Sequence, residues 1–508
     1  MTRFIQNTNQ NLIAGMKCFR RMPEITLLIL LMTVLMSCHA AKPGVQDSLE
    51  QFSAFLDVRI PELMEKYNIP GVSMAVVHKG RLAWSSAYGY ADLQQKRPMT
   101  VDAIYRAESI SKSVTAWGVM RLVEQGLLEL DVPAQHYLHS VTLPETSFDW
   151  NEVTLRRLLS GTAGLPLGTI GQAAEYPPHS PLPTLWDYLR QEMRLIGKPG
   201  AGFMYSNVGF NLLELLIEEV TGRNFTDFMD DEILTPLDMK NSSFAWQQQF
   251  LSSLPNGYEV NGKQVAPYVY PARASGGLFA TVEDIARFVC AGMTGPHFSN
   301  QAVLKAETIR LIYTPQAEIP GLFSFVADHY GFGHFIETLA DGRTAVWHGG
   351  QGHGWMTHFH AIPISGDGIV ILTNSQRSWP FMAQVLSDWS RWLDITPVKM
   401  SRITYAAKVM WMVIGGLVSL SLWQSYRLIA GLIDGTRRLS LLSLKSGVTR
   451  WFQLVFSLVV ILGLVWCATQ PYLFVSSIFP DTASWAGFSL LALSVIYLIS
   501  AFSMRQTK

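Results

Sequence analysis

Three short motifs carry side chains suited to acyl-transfer chemistry. The first is Glu108-Ser109-Ile110-Ser111-Lys112-Ser113, in which Ser109 and Lys112 form Ser-x-x-Lys. A helix-compatible apolar run follows (Val114, Trp117, Val119, Met120, Leu122, Val123) and stops at Gly126, a good residue for a helix end. With Ser109 at the N-terminus of that helix, Lys112 lies one turn on, on the same face. A serine hydroxyl is a weak nucleophile and needs a neighbouring base. A buried lysine whose pKa is lowered toward neutrality can be that base. The free N–H groups of a helix start favour the negative charge that develops during acyl transfer. The plainer reading makes the serine an N-cap and leaves the lysine in solvent.

The second motif, Tyr205-Ser206-Asn207, follows Pro199-Gly200-Ala201-Gly202 and precedes a helix. Two residues apart on an extended turn, Tyr205 and Asn207 point the same way. A tyrosine hydroxyl can relay a proton, and an asparagine amide can orient a substrate carbonyl or a neighbouring lysine. The alternative is Asn207 as an N-cap and Tyr205 as packing. The third motif, His348-Gly349-Gly350, ends a predicted strand. Its glycines would let a substrate backbone approach closely, and His348 can donate or accept near neutral pH. His353, His358 and His360 nearby raise a metal site as a rival, but no His-Glu-x-x-His or comparable ligand spacing occurs, so neither metal nor cofactor is expected.

The rest of the chain must hold these motifs together. Its 508 residues can bury a large core and hold more than one domain. Lys+Arg and Asp+Glu both number 39, so no strong field points to nucleic acid. Only 15% of residues are charged and 49% are hydrophobic, a membrane-leaning mix. The four cysteines are far apart and suggest no disulfide framework. Residues 46–395 read as a mixed α/β unit. Val72 to Val77 and Arg81 to Ala87 are expected strands joined at Lys79-Gly80. Leu155 to Leu159 reads as a short helix, and Pro166 to Pro183 as a long surface loop over the site. Asn207 to Val220 is an amphipathic helix closed by Gly222. Thr281 to Val289 is a helix capped by Thr281 with Asp284 at N3. Thr344 to Trp347, Met356 to Ile362 and Gly368 to Thr373 read as late strands.

Both ends of the chain point to a membrane. Lys17, Arg20 and Arg21 precede an apolar run from Ile25 to Met36 that reads as a secretory h-region. It ends Leu35-Met36-Ser37-Cys38, a lipobox-like sequence with Cys38 as the lipidation candidate; cleavage after Ala40 and an uncleaved anchor are the rivals. Residues 1–40 are therefore assigned to export. Within 400–505, the runs Val409 to Trp423, Trp451 to Thr469 and Ala483 to Ser503 read as three transmembrane helices. Arg427, Arg437, Arg438, Lys445 and Arg450 lie between the first two, and Asp481 with no Lys or Arg between the last two. The positive-inside rule then puts the first connection and the C-terminus in the cytoplasm, and the 46–395 unit outside.

In this order and with these gaps, the three motifs resemble those of the serine β-lactamase and penicillin-binding-protein superfamily, and of its class C β-lactamase-like branch in particular. Ile69-Pro70-Gly71-Val72, Tyr88-Gly89-Tyr90-Ala91-Asp92, Leu158 to Pro166, Gly276 to Thr281 and Leu372-Thr373-Asn374 share that likeness, which covers roughly residues 50 to 390. The resemblance implies an α/β (α+β) fold: a mixed, largely antiparallel sheet flanked by helices, with a mostly helical subdomain. It implies a covalent acyl-serine, with Ser109 as nucleophile, Lys112 as base and Tyr205 as proton carrier. Asn207 would orient substrate and Lys112, His348 would line the pocket, and the N–H groups of Ser109 and Gln351 would form the oxyanion hole. Three positions depart from the family pattern. Glu108 stands where a small residue is frequent, Gly161 replaces a frequent histidine, and Gly349 supplies no hydroxyl. The last change points away from recognition of a substrate carboxylate. A threonine at 349 would restore the hydroxyl, and Arg273 is a candidate substitute for the missing charge. The absence of Gly-x-Ser-x-Gly disfavours an ordinary α/β-hydrolase.

The expectation is a membrane-anchored, exported serine hydrolase without cofactor, acting on a small-molecule or peptidoglycan-related substrate such as D-amino-acid peptides or esters. A carboxylesterase or lipase-like specificity is the enzymatic alternative. A covalent penicillin-binding sensor signalling through the helices is disfavoured by the short segment from Gln424 to Arg450. A catalytically idle binding module is disfavoured by the intact Ser109, Lys112, Tyr205 and Asn207.

Overall fold

The computed structural model describes residues 48–298, 302–439, 448–470 and 474–505. The export segment and Cys38 lie outside the described residues. The centre is a nine-stranded sheet. Its strands are β1 (Gly71–His78), β2 (Arg81–Asp92), β3 (Arg97–Pro98), β4 (Ala317–Glu318), β5 (His329–Tyr330), β6 (Phe335–Thr338), β7 (Thr344–Gln351), β8 (Met356–Ile362) and β9 (Asp367–Thr373). Their order is β3-β2-β1-β9-β8-β7-β6-β5-β4, and each neighbouring pair is antiparallel, in keeping with the largely antiparallel sheet expected. The β1–β2 hairpin turns where predicted, at Lys79 and Gly80, both with positive φ (53° and 73°), the backbone that a two-residue hairpin turn of this hand requires.

Strict alternation along the central strands builds two cores, one on each face. Ala75, Val77, Val370 and Leu372 face one core, and Val72, Met74, Val76, Ile369 and Ile371 the other. The second core is closed by α1 (Leu49–Tyr67), which opens on a Ser48–Gln51 capping box, and α5 (Trp379–Trp392). The first core holds α2 (Ile110–Glu124), α3 (Asn207–Thr221), α4 (Val282–Ala291) and the irregular helical region between them. Most of α2 is buried on all sides, including Val114, Trp117, Val119, Met120 and Leu122. A helix without an exposed stripe belongs to a core, and each such aliphatic contributes about 1.5–3 kcal/mol by burial. The same packing drags Lys112 out of water.

Beyond a 3₁₀ turn at Lys399–Arg402 lie α6 (Ile403–Ile433), α7 (Val448–Thr469) and α8 (Thr482–Ala501). These three segments are long and apolar enough to cross a membrane. The shortest, α8, is about 30 Å long at 1.5 Å per residue, the thickness of a hydrocarbon core. The first is far longer than the apolar run Val409 to Trp423, because flanking residues join the helix. Arg437–Leu439 pairs with Ser503–Arg505, so the connection after α6 and the segment after α8 meet at one end of the bundle. At the other end, Lys399 pairs with Asp328, Arg377 with Asp481, and Glu337 accepts the Lys399 N–H at 2.7 Å.

Candidate active site

Ser109 occupies the N-cap position of α2, yet its side chain makes no capping bond. The hydroxyl is taken elsewhere, by Lys112 Nζ at 3.1 Å. The residue before it, Glu108, has φ of 52°, a left-handed conformation that disfavours a side chain. That geometry gives a physical reason for a small residue here, and the chain compensates with bonds. Arg106 Nε donates to Glu108 Oε1 at 2.8 Å, and the hydroxyls of Tyr268 and Tyr270 donate to the two carboxylate oxygens at 3.0 Å each. Arg106 is itself buried, stacked 3.9 Å from the centre of the Tyr268 ring.

Lys112 is fully buried. Burial pulls its ammonium down from 10.5 to about 7, against the opposing pull of the Glu108 carboxylate. Nζ has two polar partners, Ser109 Oγ and the Ser275 carbonyl oxygen at 2.6 Å. As a neutral amine it keeps one N–H on Ser275 and turns its lone pair to the Ser109 hydroxyl, reversing the first bond. The Tyr205 ring centre is 5.0 Å from Nζ, and the Tyr205 hydroxyl is near enough to the Ser109 side chain to feel it. Burial pushes the tyrosine hydroxyl well above its ordinary value, so Tyr205 holds its proton at neutral pH while Lys112 can lose one. Asn207 is the first residue of α3; the cap is Ser206, whose Oγ accepts the Gly209 N–H at 2.9 Å. Among the hydrogen bonds of the described residues, the backbone partner that holds Lys112 Nζ is the Ser275 carbonyl.

β7 supplies the opposite wall. Its last residue paired with β6 is Trp347, so His348, Gly349, Gly350 and Gln351 have a partner strand, β8, on one side only. A Cβ on Gly350 would meet the Ala107 carbonyl and, at 2.8 Å, Glu108 Cβ, so the glycine lets the segment before Ser109 pass against the strand. His348 is 1% exposed, its ring centre 6.2 Å from that of Tyr205. Its Nδ1 lies 3.0 Å from a carbonyl oxygen, that of Gly349, and must carry the proton; Nε2 then accepts from Tyr330 Oη at 3.3 Å. Burial and the neighbouring Lys112 hold the imidazole well below its usual range, so it is neutral.

At Gly349 the structure corrects the sequence reading. The Cβ of any residue there would point at Trp379, 2.6 Å from Cη2 of the indole. Trp379 Nε1 in turn donates to Gln351 Oε1 at 3.0 Å. A hydroxyl at 349 would therefore be driven into the indole on the core side of the strand instead of joining the pocket. Arg273, the candidate for the missing charge, has its Nη1 3.8 Å from Glu214 Oε1. Among the described residues no His, Cys, Asp or Glu group could hold a metal. His358 and His360 lie on the face of β8 that looks away from Ser109, with His360 Nε2 2.9 Å from Glu337 Oε1.

Sequence reasoning missed Ser275, whose contribution is a backbone oxygen, and Trp379, which sits thirty residues from the glycine it fills. Gly276-Gly277 marked the turn beside Ser275 without showing its use. The segment Pro166 to Pro183 is fastened by His353, which lies between Glu175 of that segment (3.0 Å) and Glu259 (3.2 Å).

A family model described as Beta-lactamase matches residues 56–385 of the chain, more than half of it. Protein flp of Staphylococcus aureus (strain MW2) is 29% identical over 214 residues, 41% of this chain and 41% of the relative. Penicillin-binding protein 4* of Bacillus subtilis (strain 168) is 31% identical over 184 residues, 35% of this chain and 39% of the relative. The chain thus spans about two fifths of the length of these relatives. The octameric penicillin-binding protein homologue from Pyrococcus abyssi superposes with a TM-score of 0.60 at 25% identity, covering 70% of this chain and 81% of that one. A penicillin-binding protein from Bacillus halodurans has the same fold, with a TM-score of 0.52 at 22% identity over 62% of this chain and 94% of the other.

Proposed function

The chain belongs to the Beta-lactamase family, and from that premise we propose that it is a membrane-anchored serine hydrolase, exported so that its catalytic unit faces outward. It acts through an acyl-serine intermediate on esters or amides such as D-amino-acid peptides or esters of the cell envelope. The observation that carries the reading is the fully buried Lys112, drawn down to about 7 and 3.1 Å from the Ser109 hydroxyl. In this mechanism the neutral lysine takes the Ser109 proton as Oγ attacks the carbonyl carbon. The tetrahedral oxyanion is met by the N–H groups of Ser109 and Gln351. Tyr205, neutral and beside Ser109, passes the proton to the leaving group, and water reverses the sequence to free the acid. His348 lines the pocket as a neutral acceptor, and Asn207 faces substrate.

A second reading, a carboxylesterase-like preference for small neutral esters, is favoured by one observation. The strand wall offers a neutral His348 and an indole-backed glycine, with no cation to hold a substrate carboxylate. Labelling with a fluorophosphonate tests the core of the proposal. The protein should label at Ser109, and Ser109→Ala should abolish both labelling and turnover; hydrolysis that survives Ser109→Ala, or that a chelator abolishes, would refute it. Comparing a penicillin, a D-Ala-D-Ala peptide and a short neutral ester then separates the two substrate readings.

A further inference from the structure

Glu214 lies on α3, two turns beyond Tyr205 and fully buried. One carboxylate oxygen, Oε2, accepts the backbone N–H groups of Arg273 and Ala274 at 2.5 and 2.7 Å. The other is buried without a hydrogen bond, and its nearest cation, Arg273 Nη1, is 3.8 Å away. The next residue in the chain is Ser275, whose carbonyl holds Lys112 Nζ. The same turn is clasped from α2 by Thr115, whose hydroxyl donates to the Ala274 carbonyl at 3.0 Å. It closes on itself through Gly276 and Gly277, whose N–H groups donate to the Arg273 carbonyl. A continuous chain of short bonds therefore runs from Glu214 through residues 273–275 to the amine that faces Ser109.

We propose that Glu214 is a positioning residue for Lys112: by gripping the Arg273 and Ala274 amides it presents the Ser275 carbonyl to Nζ and so aims the lysine lone pair at the Ser109 hydroxyl. This rests on the reading of Ser109 as nucleophile and Lys112 as base. A neutral amine has two hydrogens and one lone pair, so fixing one hydrogen on a rigid acceptor limits where the lone pair can point. An ionised carboxylate is an expensive clasp in a dry site. Burial pushes Glu214 itself up to about 7.

The Ser275 oxygen favours the ammonium form of Lys112, so a displaced carbonyl lowers the lysine pKa further. The other groups facing Lys112 are Glu108 from its own turn, Tyr205 from the start of α3 and His348 from β7. Those acting on Glu214 are Arg273 and Glu218. None of them changes in the variants below.

The rate at which a fluorophosphonate labels Ser109, followed against pH on the full chain in detergent, reads the base without needing the natural substrate. Glu214→Ala should slow labelling about tenfold or more, as misplacement of a reacting group does, and should move the acidic limb to lower pH. Glu214→Gln, whose amide oxygen can still accept both N–H groups, should recover most of the rate. Thr115→Val, which loosens the other clasp, should shift the limb in the same direction as Glu214→Ala. If Glu214→Ala does not fold, Glu214→Gln and Thr115→Val decide alone. A limb that stays in place in Thr115→Val and in every folded Glu214 variant overturns the proposal, as does a rate loss that Gln does not recover. A wild type that never labels at Ser109 overturns the underlying serine-hydrolase reading instead.

Discussion

Replacing Gly349 with threonine tests why the pocket wall lacks a hydroxyl. From sequence alone the substitution restores a missing group; in the structure it collides. The new Cβ would stand 2.6 Å from Trp379 Cη2, 3.3 Å from Cζ3 and 3.4 Å from His358 Nδ1. Carbon atoms in contact rest about 3.5–4.0 Å apart, so the indole must retreat by about 1 Å. It has little room: Trp379 is 6% exposed, opens α5 and is tied to Gln351. Overpacking of this kind costs about 1–3 kcal/mol, and loss of the Trp379–Gln351 bond adds about 1 kcal/mol. Gly349→Thr should therefore destabilise by about 2–4 kcal/mol and lower the thermal midpoint by several degrees. It should bring no gain toward carboxylate-bearing substrates. Trp379→Val alone should also destabilise, but the double variant should recover part of the sum, because the cavity and the added side chain offset each other. The measurements are thermal midpoints of the four proteins and their relative turnover of a penicillin and a neutral ester. A single Gly349→Thr variant with an unchanged midpoint, or with improved penicillin turnover, would show that the indole does not govern this wall.

Lys112 works as a base only when neutral, and its folded value of about 7 lies below the ordinary 10.5; labelling and turnover should accordingly be lost below that value, rise as pH passes through it and level off above. Lys112→Ala should lower the rate by roughly 10²–10⁴ on the alkaline plateau, with the deficit shrinking as pH falls and the wild-type lysine is protonated, measured by steady-state hydrolysis. Glu108→Ala removes a carboxylate that faces Arg106 in a buried site, so it should destabilise by roughly 3–5 kcal/mol in thermal unfolding; a neutral result would mean that Arg106 finds another partner. For the membrane arrangement, single cysteines near Arg437 and near Asp481 should react with an impermeant reagent from opposite sides, with the Asp481 side outside. Reaction of both from one side would contradict the three-span topology.

The sequence was most legible in its short apolar runs. Val72 to Val77 and Gly368 to Thr373 read as strands, and these strands are neighbours buried on both faces, with Val72 opposite Thr373 and Val77 opposite Gly368. Thr281 caps its helix as read, through the Asp284 N–H at 3.2 Å, because the cap depends on residues three apart. The alternative of Asn207 as an N-cap is not what the structure has: the residue that leaves helical dihedrals is Ser206, with φ of −139°, and Asn207 begins the helix. The short apolar run Val409 to Trp423 extends through flanking residues into α6, Lys408 and Arg427 included, because charged side chains near helix ends are compatible with continuing the helix.

Of the candidate site, Ser109, Lys112, Tyr205 and His348 were legible as types at a spacing, and the fold brings them together. What sequence could not supply is the set of groups that decide how those types behave. Ser275 acts through its backbone, which has no letter of its own. Trp379 acts by volume at a position set only when α5 docks on the sheet. The two clearest violations of local rules, a left-handed Glu108 and a fully buried Lys112, fall within four residues of each other around Ser109. Local propensity opposes both, so only tertiary contacts hold them: Arg106, Tyr268 and Tyr270 for the first, Ser109 and Ser275 for the second. Two neighbouring exceptions around one hydroxyl are what the proposal of a nucleophile and its base rests on, so burial of the lysine, more than the Ser-x-x-Lys spelling, gives the reading its physical footing.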